Sequence, residues 1–363
     1  MALLKKVLLD QETKYHPYFE FIEMNSGEKY RKRDHIDLTD KARVESQMLD
    51  NRFMYEPLLS GHPHSDTNIG LSFLGKELMA PIWVSSMTGG TALAKKINTH
   101  LAMACREFGL GMGLGSCRSL LTSDEHLMDF DVRDIIGEDL PLYINLGIAQ
   151  MEQLITQKKW DQISGILDKL RADGLIIHVN PLQEWVQPEG DRIQISPIQT
   201  IENTLMHLKD VPIIVKEVGQ GMGYHSLKQL LQLPLEAVEF GAAGGTNFTK
   251  LELERNPQKM QQQYDPLTLI GHNANDMVGF VNVLKEEFGN RLACQQIIIS
   301  GGIKHFLDGY YLTRKSKMKA IYGQASKLLQ YAKEDYGVLQ QYLEEQISGL
   351  KLAQCYLRIK EAD

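Results

Sequence analysis

The stretch LIIHVNPLQEWVQPEGD, residues 175–191, decides the fold, because it contains a buried strand together with the polar segment that follows it. It begins with an apolar run typical of a buried strand and then becomes abruptly polar. His178 and Asn180 share one strand face, since side chains alternate with period two. Gln183 and Glu184 follow. A buried strand that ends in amides and carboxylates is typical of the active-site end of an α/β barrel strand. An ordinary solvated loop is equally polar, so the other strand ends must decide.

Short apolar runs recur on both sides of this stretch, each closed by Gly or a polar turn and followed by helical spacing. The eight runs cover residues 80–87, 109–115, 142–147, 174–180, 212–218, 237–245, 296–302 and 318–323. Strands that alternate with helices build a parallel sheet from βαβ units. Eight such units close into a (β/α)8 TIM barrel, which is the fold class predicted here. The alternative, an open doubly wound sheet, predicts a GxGxxG turn after the first strand, and the sequence MTGG at 87–90 does not match it.

Three segments are predicted from this pattern. Residues 1–79 lack regular strand–helix alternation, and we expect an N-terminal extension that packs on the barrel and carries a basic cluster. Residues 80–330 form the barrel, and residues 331–363 form a C-terminal helix. Within the extension, Thr39 and Asp40 are predicted to cap a helix over residues 41–49.

Composition limits the classes of function. The 363 residues are 43% hydrophobic and 23% charged, which is typical of a globular protein. The net charge of −7 argues against a protein that mainly binds nucleic acid, although local basic groups could still bind a diphosphate. The four cysteines form no CxxC pair, so we expect neither disulfides nor zinc, and a reducing cytoplasmic location. The first residues contain too short an apolar run for a signal peptide or a membrane span.

The candidate site residues lie where the predicted strands end, because the active site of a barrel gathers there. The loops after strands seven and eight commonly hold phosphate on backbone N–H groups, which Gly301-Gly302 and Gly323-Gln324-Ala325 would supply. Such glycines could also be ordinary turn residues. In strand order, the polar or small residues at the ends are Ser86, Met87 and Thr88; Ser116 and Arg118; Asn145; His178 and Asn180; Lys216; Thr246; Gly302 and Lys304; Gln324 and Ala325.

Three of these residues carry specific chemistry. Lys216 follows four apolar residues, so we expect it on a dry wall of the barrel. It could act as a Schiff-base nucleophile, contact the electron-rich edge of a cofactor, or form an ion pair with Glu217 or Glu239. Glu184 is the best candidate ligand for Mg2+, which proteins hold with one or two carboxylates and substrate phosphate oxygens. His178 alone is more often a satisfied interior histidine than a ligand.

Taken together, the motifs resemble those of the type 2 isopentenyl-diphosphate isomerases, a flavin-dependent family that interconverts isopentenyl and dimethylallyl diphosphate. The matching segments, in family order, are RKRDH at 31–35, MTGG at 87–90, GSCR at 115–118, INLG at 144–147, HVNPLQEWVQPEGD at 178–191, KEVGQGM at 216–222, GGTNF at 244–248 and SGGIK at 300–304. The chain resembles a divergent member, because Asp34 replaces a Glu, Gly241-Ala242 replaces Ser-Gly, Lys304 replaces an Arg and Ile270 replaces a Trp.

The resemblance implies a barrel that binds FMN and Mg2+, is activated by NADPH as reductant, and assembles as a homotetramer or larger. It implies that Arg31, Lys32 and His35 bind the diphosphate of the substrate with help from Arg118, Asn180 and Gln183. The implied catalytic residues are Gln183, Lys216 and His178, and Glu184 would hold Mg2+. The implied FMN contacts are Ser86, Met87, Thr88, Ser116, Asn145, Lys216, Thr246, Gly302, Lys304, Gln324 and Ala325.

Two other functions stay open at this point. A 2-hydroxy-acid oxidase on the same barrel would need a histidine base and an arginine pair, for which His272 and His305 are the candidate histidines. A flavin-binding barrel without catalysis is suggested by the altered loops at 241–242 and 304–306.

Overall fold

A computed structural model describes residues 28–86, 92–255 and 261–360 of the chain. The chain divides into two compact units, residues 1–51 and 52–363. The first unit contains the helix Glu28–Asp37 and a short 3-10 turn, Ser46–Met48. The helix predicted over residues 41–49 is wrong. A helix is stabilised mainly by burying an apolar face, and residues 41–49 are exposed throughout.

The second unit is a closed barrel, which confirms the predicted fold class. Among the described residues, eight parallel strands form it, and β8 pairs with β1 to close the ring. The strands are β1 Ile82–Val84, β2 Gly111–Ser116, β3 Leu142–Gly147, β4 Gly174–Val179, β5 Ile213–Glu217, β6 Ala237–Glu239, β7 Gln296–Ser300 and β8 Lys319–Gln324.

The largest error in a predicted strand boundary is in β6, which ends at Glu239 and not at Gly245. Gly241 and Gly244 have φ angles of +52° and +115°, which lie in the region that favours glycine and outside the β region. The chain therefore leaves the sheet early and forms a loop over the end of the barrel.

Helices surround the barrel and fill the strand connections, as the βαβ pattern requires. Their bounds are Ala92–Phe108, Leu127–Phe130, Arg133–Ile136, Ile148–Thr156, Trp160–Leu170, Pro181–Val186, Pro197–His207, Tyr224–Leu231, Phe248–Arg255, Gln261–Tyr264, Ala274–Phe288, Phe306–Lys315, Ser326–Ala332 and Tyr336–Tyr356. None of the helices in the described ranges is both long and apolar enough to cross a membrane.

The amino-terminal end of the barrel is closed, which leaves the carboxyl end for a site. A hairpin of Leu71–Phe73 and Lys76–Leu78 packs at the amino-terminal end, and Lys76 Nζ lies 2.5 Å from Asp173 Oδ1 just before β4.

Inside the barrel, Trp83 is fully buried. A Cβ at Gly111 would lie 2.5 Å from the Trp83 ring, so the glycine of β2 makes room for this large side chain. A second pairing, Phe53–Tyr55 with Leu357–Ile359, joins the two ends of the second unit.

Candidate active site at the carboxyl ends of the barrel strands

His178, at the end of β4, is held against the neighbouring strand. Its Nδ1 lies 2.6 Å from Asn145 Oδ1 on β3. Burial, together with the nearby Lys216 ammonium, lowers the pKa of His178 to about 3. Gly147 is required here, because a Cβ at that position would lie 2.8 Å from His178 Nε2. The structure therefore brings two predicted site residues, His178 and Asn145, into contact. The low pKa of His178 keeps its imidazole neutral.

We expect His178 to stay neutral from about pH 8 to about pH 5, because its pKa of about 3 in the folded protein lies well below the usual value of about 6.5. Its pKa is lower in the folded protein than in the unfolded chain, so this effect adds stability that is complete above about pH 6.5. That stability is lost as the pH falls from about 6.5 toward the folded pKa of about 3. Nitrogen-15 NMR of histidine-labelled protein measures the ring directly, and the His178→Asn variant assigns its signal. A titration of that signal near pH 6 would contradict the prediction.

The polar residues after β4 form one hydrogen-bonded cluster. Asn180 Nδ2 donates to Gln183 Oε1 at 3.1 Å and to Glu184 Oε1 at 3.2 Å. The backbone N–H of Asp191 donates to Glu184 Oε2 at 2.8 Å. Asn180 and Glu184 are buried, and Asn180 Oδ1 has no hydrogen-bond partner among the described residues. A buried acceptor without a partner requires an explanation, and a bound ligand would supply one.

Glu252, which the sequence reasoning missed, extends this cluster. It lies on the helix Phe248–Arg255 and is only 4% exposed. Its Oε1 accepts from Gln183 Nε2 at 3.4 Å, and its Oε2 lies 2.5 Å from Arg255 Nη1. Thr249 and Leu253 are the other buried residues of this helix. The available signal in the sequence was a glutamate on the same helix face as Thr249 and Leu253. Carboxylates are rarely buried unless they are paired, so a glutamate on a buried face indicates a specific partner.

A cleft of about 550 Å³ opens at the ends of β1, β5, β6, β7 and β8. Six of the residues predicted to contact FMN line it: Ser86, Lys216, Thr246, Gly302, Gln324 and Ala325. Asn145 contacts His178 instead, and Ser116 and Lys304 are exposed. The predicted contacts Met87 and Thr88 lie outside the described residues.

Lys216 and Glu239 lie on the walls of this cleft but do not form the ion pair that the sequence left open. Lys216 is 7% exposed, and its Nζ donates to the backbone carbonyl of Glu217 at 2.9 Å. Glu239 is fully buried, and its Oε1 accepts from Ser85 Oγ at 2.6 Å. In the described part of the chain, Lys216 has no carboxylate within ion-pair distance. The ammonium therefore remains available to an anionic group in the cleft.

Glu217 shapes the neighbouring loop and does not pair with the lysine. Its Oε2 accepts from the backbone N–H groups of Gly219, Gln220 and Gly221 at 2.7–2.8 Å. Burial raises the pKa of the Glu217 carboxyl above its ordinary value. A second cleft, of about 780 Å³, lies on the far side of this loop and is lined by Asn180 and Gln183, among others. Val218 lines both clefts, so the cluster after β4 adjoins the cleft that contains Lys216.

Glycines form one wall of the first cleft. Gly301 and Gly302 have φ angles of +91° and +74°. A Cβ at Gly301 would lie 2.0 Å from the backbone oxygen of Ala242, and one at Gly244 would lie 3.2 Å from Gly302. The two Gly-Gly loops thus approach each other more closely than side chains allow. Bare backbone N–H groups in this position suit a phosphate.

The remaining predicted residues lie elsewhere. Arg118 is half-exposed at the end of β2, with its Nη2 3.0 Å from Asp191 Oδ2. Arg31, Lys32 and His35 lie on the exposed helix Glu28–Asp37 of the first unit, and their role in binding substrate stays a prediction. Of the histidines considered for an oxidase, His272 packs edge-on against Phe280 and His305 lies 3.8 Å from Asp308. Within the described residues, neither is paired with an arginine.

Fold and site together define a barrel enzyme with a candidate active site at the carboxyl ends of the strands. No protein-family model matches the chain. An isopentenyl-diphosphate delta-isomerase from Rickettsia akari (strain Hartford) is 33% identical over 89% of this chain and 91% of its own length. The enzyme of the same name from Rickettsia typhi (strain ATCC VR-144 / Wilmington) is 32% identical over 91% and 94%. The chain therefore belongs to the isopentenyl-diphosphate delta-isomerase family.

Two solved structures share the fold at low sequence identity. A mandelate oxidase variant with a monooxide FMN adduct has a TM-score of 0.53 and 12% identity, covering 86% of this chain and 88% of its own. A flavocytochrome b2 variant with sulfite bound has a TM-score of 0.56 and 14% identity, covering 84% and 72%. At this identity the likeness concerns the barrel alone.

Proposed function

We propose that this chain interconverts isopentenyl diphosphate and dimethylallyl diphosphate as a type 2, FMN-dependent isomerase. The observation that carries the proposal is the arrangement of the two adjoining clefts. One is lined by glycine loops and by Lys216, and the other by Asn180 and Gln183. The first suits a flat ring with a phosphate, and the second suits a small polar ligand beside it. The names of the relatives support the choice of substrate.

The residues of the first cleft fit FMN. Ser86 Oγ, Glu239 Oε2 and Gln324 Nε2 are buried and have no hydrogen-bond partner among the described residues. All three residues line the cleft, so the polar edge of a flavin ring would satisfy such atoms. The backbone around Gly301 and Gly302 suits the phosphate. Reduced FMN, when bound, would supply the acid–base group for moving a proton between the carbons of the substrate.

The chain's own residues bind and orient in this proposal. Lys216 lies on a largely dry wall, where an ammonium group stabilises negative charge more strongly than in water. Gln183 lies between Asn180 and Glu252, which fix its amide at the edge of the second cleft. Neutral His178, held by Asn145, adds no charge beside Lys216. The basic cluster of Arg31, Lys32 and His35, with Arg118 and Asn180, would bind the diphosphate.

Glu184 is the proposed ligand of Mg2+. The described residues contain no group of three or more His, Cys, Asp or Glu side chains that could enclose a metal. One carboxylate still fits Mg2+, because this ion keeps several waters and takes further oxygens from substrate phosphates. NADPH as reductant, a homotetramer or larger assembly, and a cytoplasmic location remain part of the proposal.

We expect Glu184→Gln to lower the Mg2+-dependent isomerase rate about 10- to 100-fold, which is the range typical of altered metal-site residues. The amide keeps the shape and one acceptor oxygen but loses the charge that holds a cation. The measurement is the isomerase rate as a function of Mg2+ concentration. Glu202→Gln, which changes an exposed carboxylate on the helix Pro197–His207, is the control. An unchanged Mg2+ dependence would remove Glu184 from the metal site.

The proposal is tested by an anaerobic assay with FMN, Mg2+, NADPH and isopentenyl diphosphate in D2O. Deuterium entering dimethylallyl diphosphate, only when the flavin is reduced, would support it. Bound FMN without isotope incorporation would contradict it and favour a flavin-binding barrel without this catalysis. Net oxidation of an added 2-hydroxy acid, with reduction of the flavin, would favour the oxidase.

A further inference from the structure

Asp191 joins the ends of three neighbouring strands. Its Oδ2 lies 3.0 Å from Arg118 Nη2, after β2, and accepts from Gln150 Nε2 at 3.0 Å, after β3. Its Oδ1 accepts from Gln153 Nε2 at 3.1 Å. Its backbone N–H donates to Glu184 Oε2 at 2.8 Å, after β4. One aspartate thus contacts both an arginine and a buried glutamate of the candidate site.

The preceding glycine makes this geometry possible. A Cβ at Gly190 would lie 2.0 Å from the backbone oxygen of Glu184. Without that Cβ, the turn closed by the Gly190 N–H and the Gln187 carbonyl can lie directly on the helix Pro181–Val186. Asp191 then follows at hydrogen-bond distance from the Glu184 side chain. Gln150 is itself fixed, because its Oε1 accepts from the backbone N–H of Gly147 at 3.1 Å.

These contacts set the direction of both charged groups before a ligand arrives. An arginine side chain that is half-exposed loses much conformational freedom when it binds an anion, and that loss weakens binding. Asp191 holds the Arg118 guanidinium through Nη2, and a guanidinium has five N–H donors, so donors remain for a ligand. Gln150 and Gln153 anchor the Asp191 carboxylate, which keeps its backbone N–H on Glu184.

We propose that Asp191 is a positioning residue that orients Arg118 and Glu184 together for a diphosphate carrying a divalent cation. The inference deepens the proposed function and rests on it for the roles of those two residues. Asp191 acts through Arg118 and through the segment that holds Glu184, and it does not contact the reacting atoms. Its loss should therefore weaken binding of the charged end of the substrate and leave the chemical step nearly unchanged.

The test is calorimetric titration of the FMN-loaded protein with inorganic pyrophosphate in the presence of Mg2+. We expect Asp191→Asn to weaken binding about ten-fold, the size of a lost hydrogen bond to a charged group. In the Arg118→Gln background the same change should weaken binding by less than about three-fold, because contacts in one network are not additive. Asp134→Asn is the matched control: it breaks another arginine–aspartate contact, with Arg171, at the opposite end of the barrel.

A kinetic measurement separates positioning from general damage. We expect Asp191→Asn to raise the KM for isopentenyl diphosphate about ten-fold while kcat changes less than about three-fold, as for a loss of uniform binding. Gln153→Ala, which removes one anchor of the carboxylate, should weaken pyrophosphate binding about two- to three-fold, and it decides the matter if Asp191→Asn does not fold.

Three results would overturn the inference. These are equal pyrophosphate binding by Asp191→Asn and Asp134→Asn, an Asp191→Asn effect of the same size with and without Arg118, or, where Gln153→Ala decides, unchanged binding by that variant. The titration needs no turnover. A wild-type protein that binds magnesium pyrophosphate but does not isomerise would refute the proposed function, and the inference would still be judged on the titration.

Discussion

Replacing Lys216 with methionine is expected to lower the isomerase rate about 100-fold, in the range seen when one preorganised donor to developing negative charge is removed. The side chain is 7% exposed, and among the described residues its one hydrogen bond is to the carbonyl of Glu217. Methionine has a similar length and flexibility, so the cleft keeps its shape and loses its charge. The affinity of the protein for reduced FMN should fall with the rate, and fluorescence titration measures it separately.

Lys317→Met is the control for this prediction. Lys317 is exposed on the outside of the barrel and pairs with Glu286. The control removes the same charge from the chain without touching the cleft. If both variants bound reduced FMN and turned over alike, Lys216 would have no electrostatic role in the site.

The strands of the barrel could be predicted because each has a local signal. β4 and β5 each contain a short apolar run followed by a polar residue, His178 and Lys216 respectively, and the structure has both strands within one residue of the predicted ends. Strands buried on both faces are nearly continuous in apolar residues, so the signal needs no knowledge of neighbours. The eightfold repeat then leads to closure.

The loops were less predictable, for a physical reason. Apart from Glu239 and Phe240, the segment from Ala237 to Gly245 consists of small apolar residues, and composition does not reveal where the backbone turns. The positive φ angles of Gly241 and Gly244 end β6 at Glu239. Glycine is compatible with both an extended and a left-handed backbone. The tertiary contact between Gly244 and Gly302 is consistent with the turned conformation and is not encoded locally.

The residues of the candidate site also fall into those that local sequence predicts and those that it does not. Gln183 and Glu184 could be proposed as site residues from the sequence, because they closely follow a predicted strand and cluster in sequence. Glu252 was missed, because its hydrogen bond to Gln183 joins residues 69 positions apart. The partner of Lys216 could not be predicted from the sequence either, since Glu217 and Glu239 were equally plausible partners. The choice depends on where carboxylates point: Glu239 bonds Ser85, and Glu217 bonds three backbone N–H groups.

Replacing Glu252 with alanine is expected to lower kcat/KM about 100-fold, because small misplacements of a positioned group can cost that much in rate. Glu252 accepts from Gln183 Nε2 while Asn180 donates to Gln183 Oε1, so the two contacts fix which way the amide faces. Without Glu252 the amide can rotate, and Arg255 loses a partner 2.5 Å away. Steady-state kinetics with isopentenyl diphosphate measure the effect.

Glu252→Gln separates orientation from charge at the same position. A glutamine keeps an acceptor oxygen at the same reach, so the Gln183 amide stays oriented and the loss should be about ten-fold or less, the scale of one hydrogen bond. Glu254→Ala is the control, since Glu254 is exposed on the same helix. If Glu252→Gln were as slow as Glu252→Ala while Glu254→Ala were normal, the negative charge of Glu252 would matter more than its hydrogen bond. Gln183 would then act beside a required carboxylate, that of Glu252, and the orientation of the amide alone would not explain the activity of the second cleft.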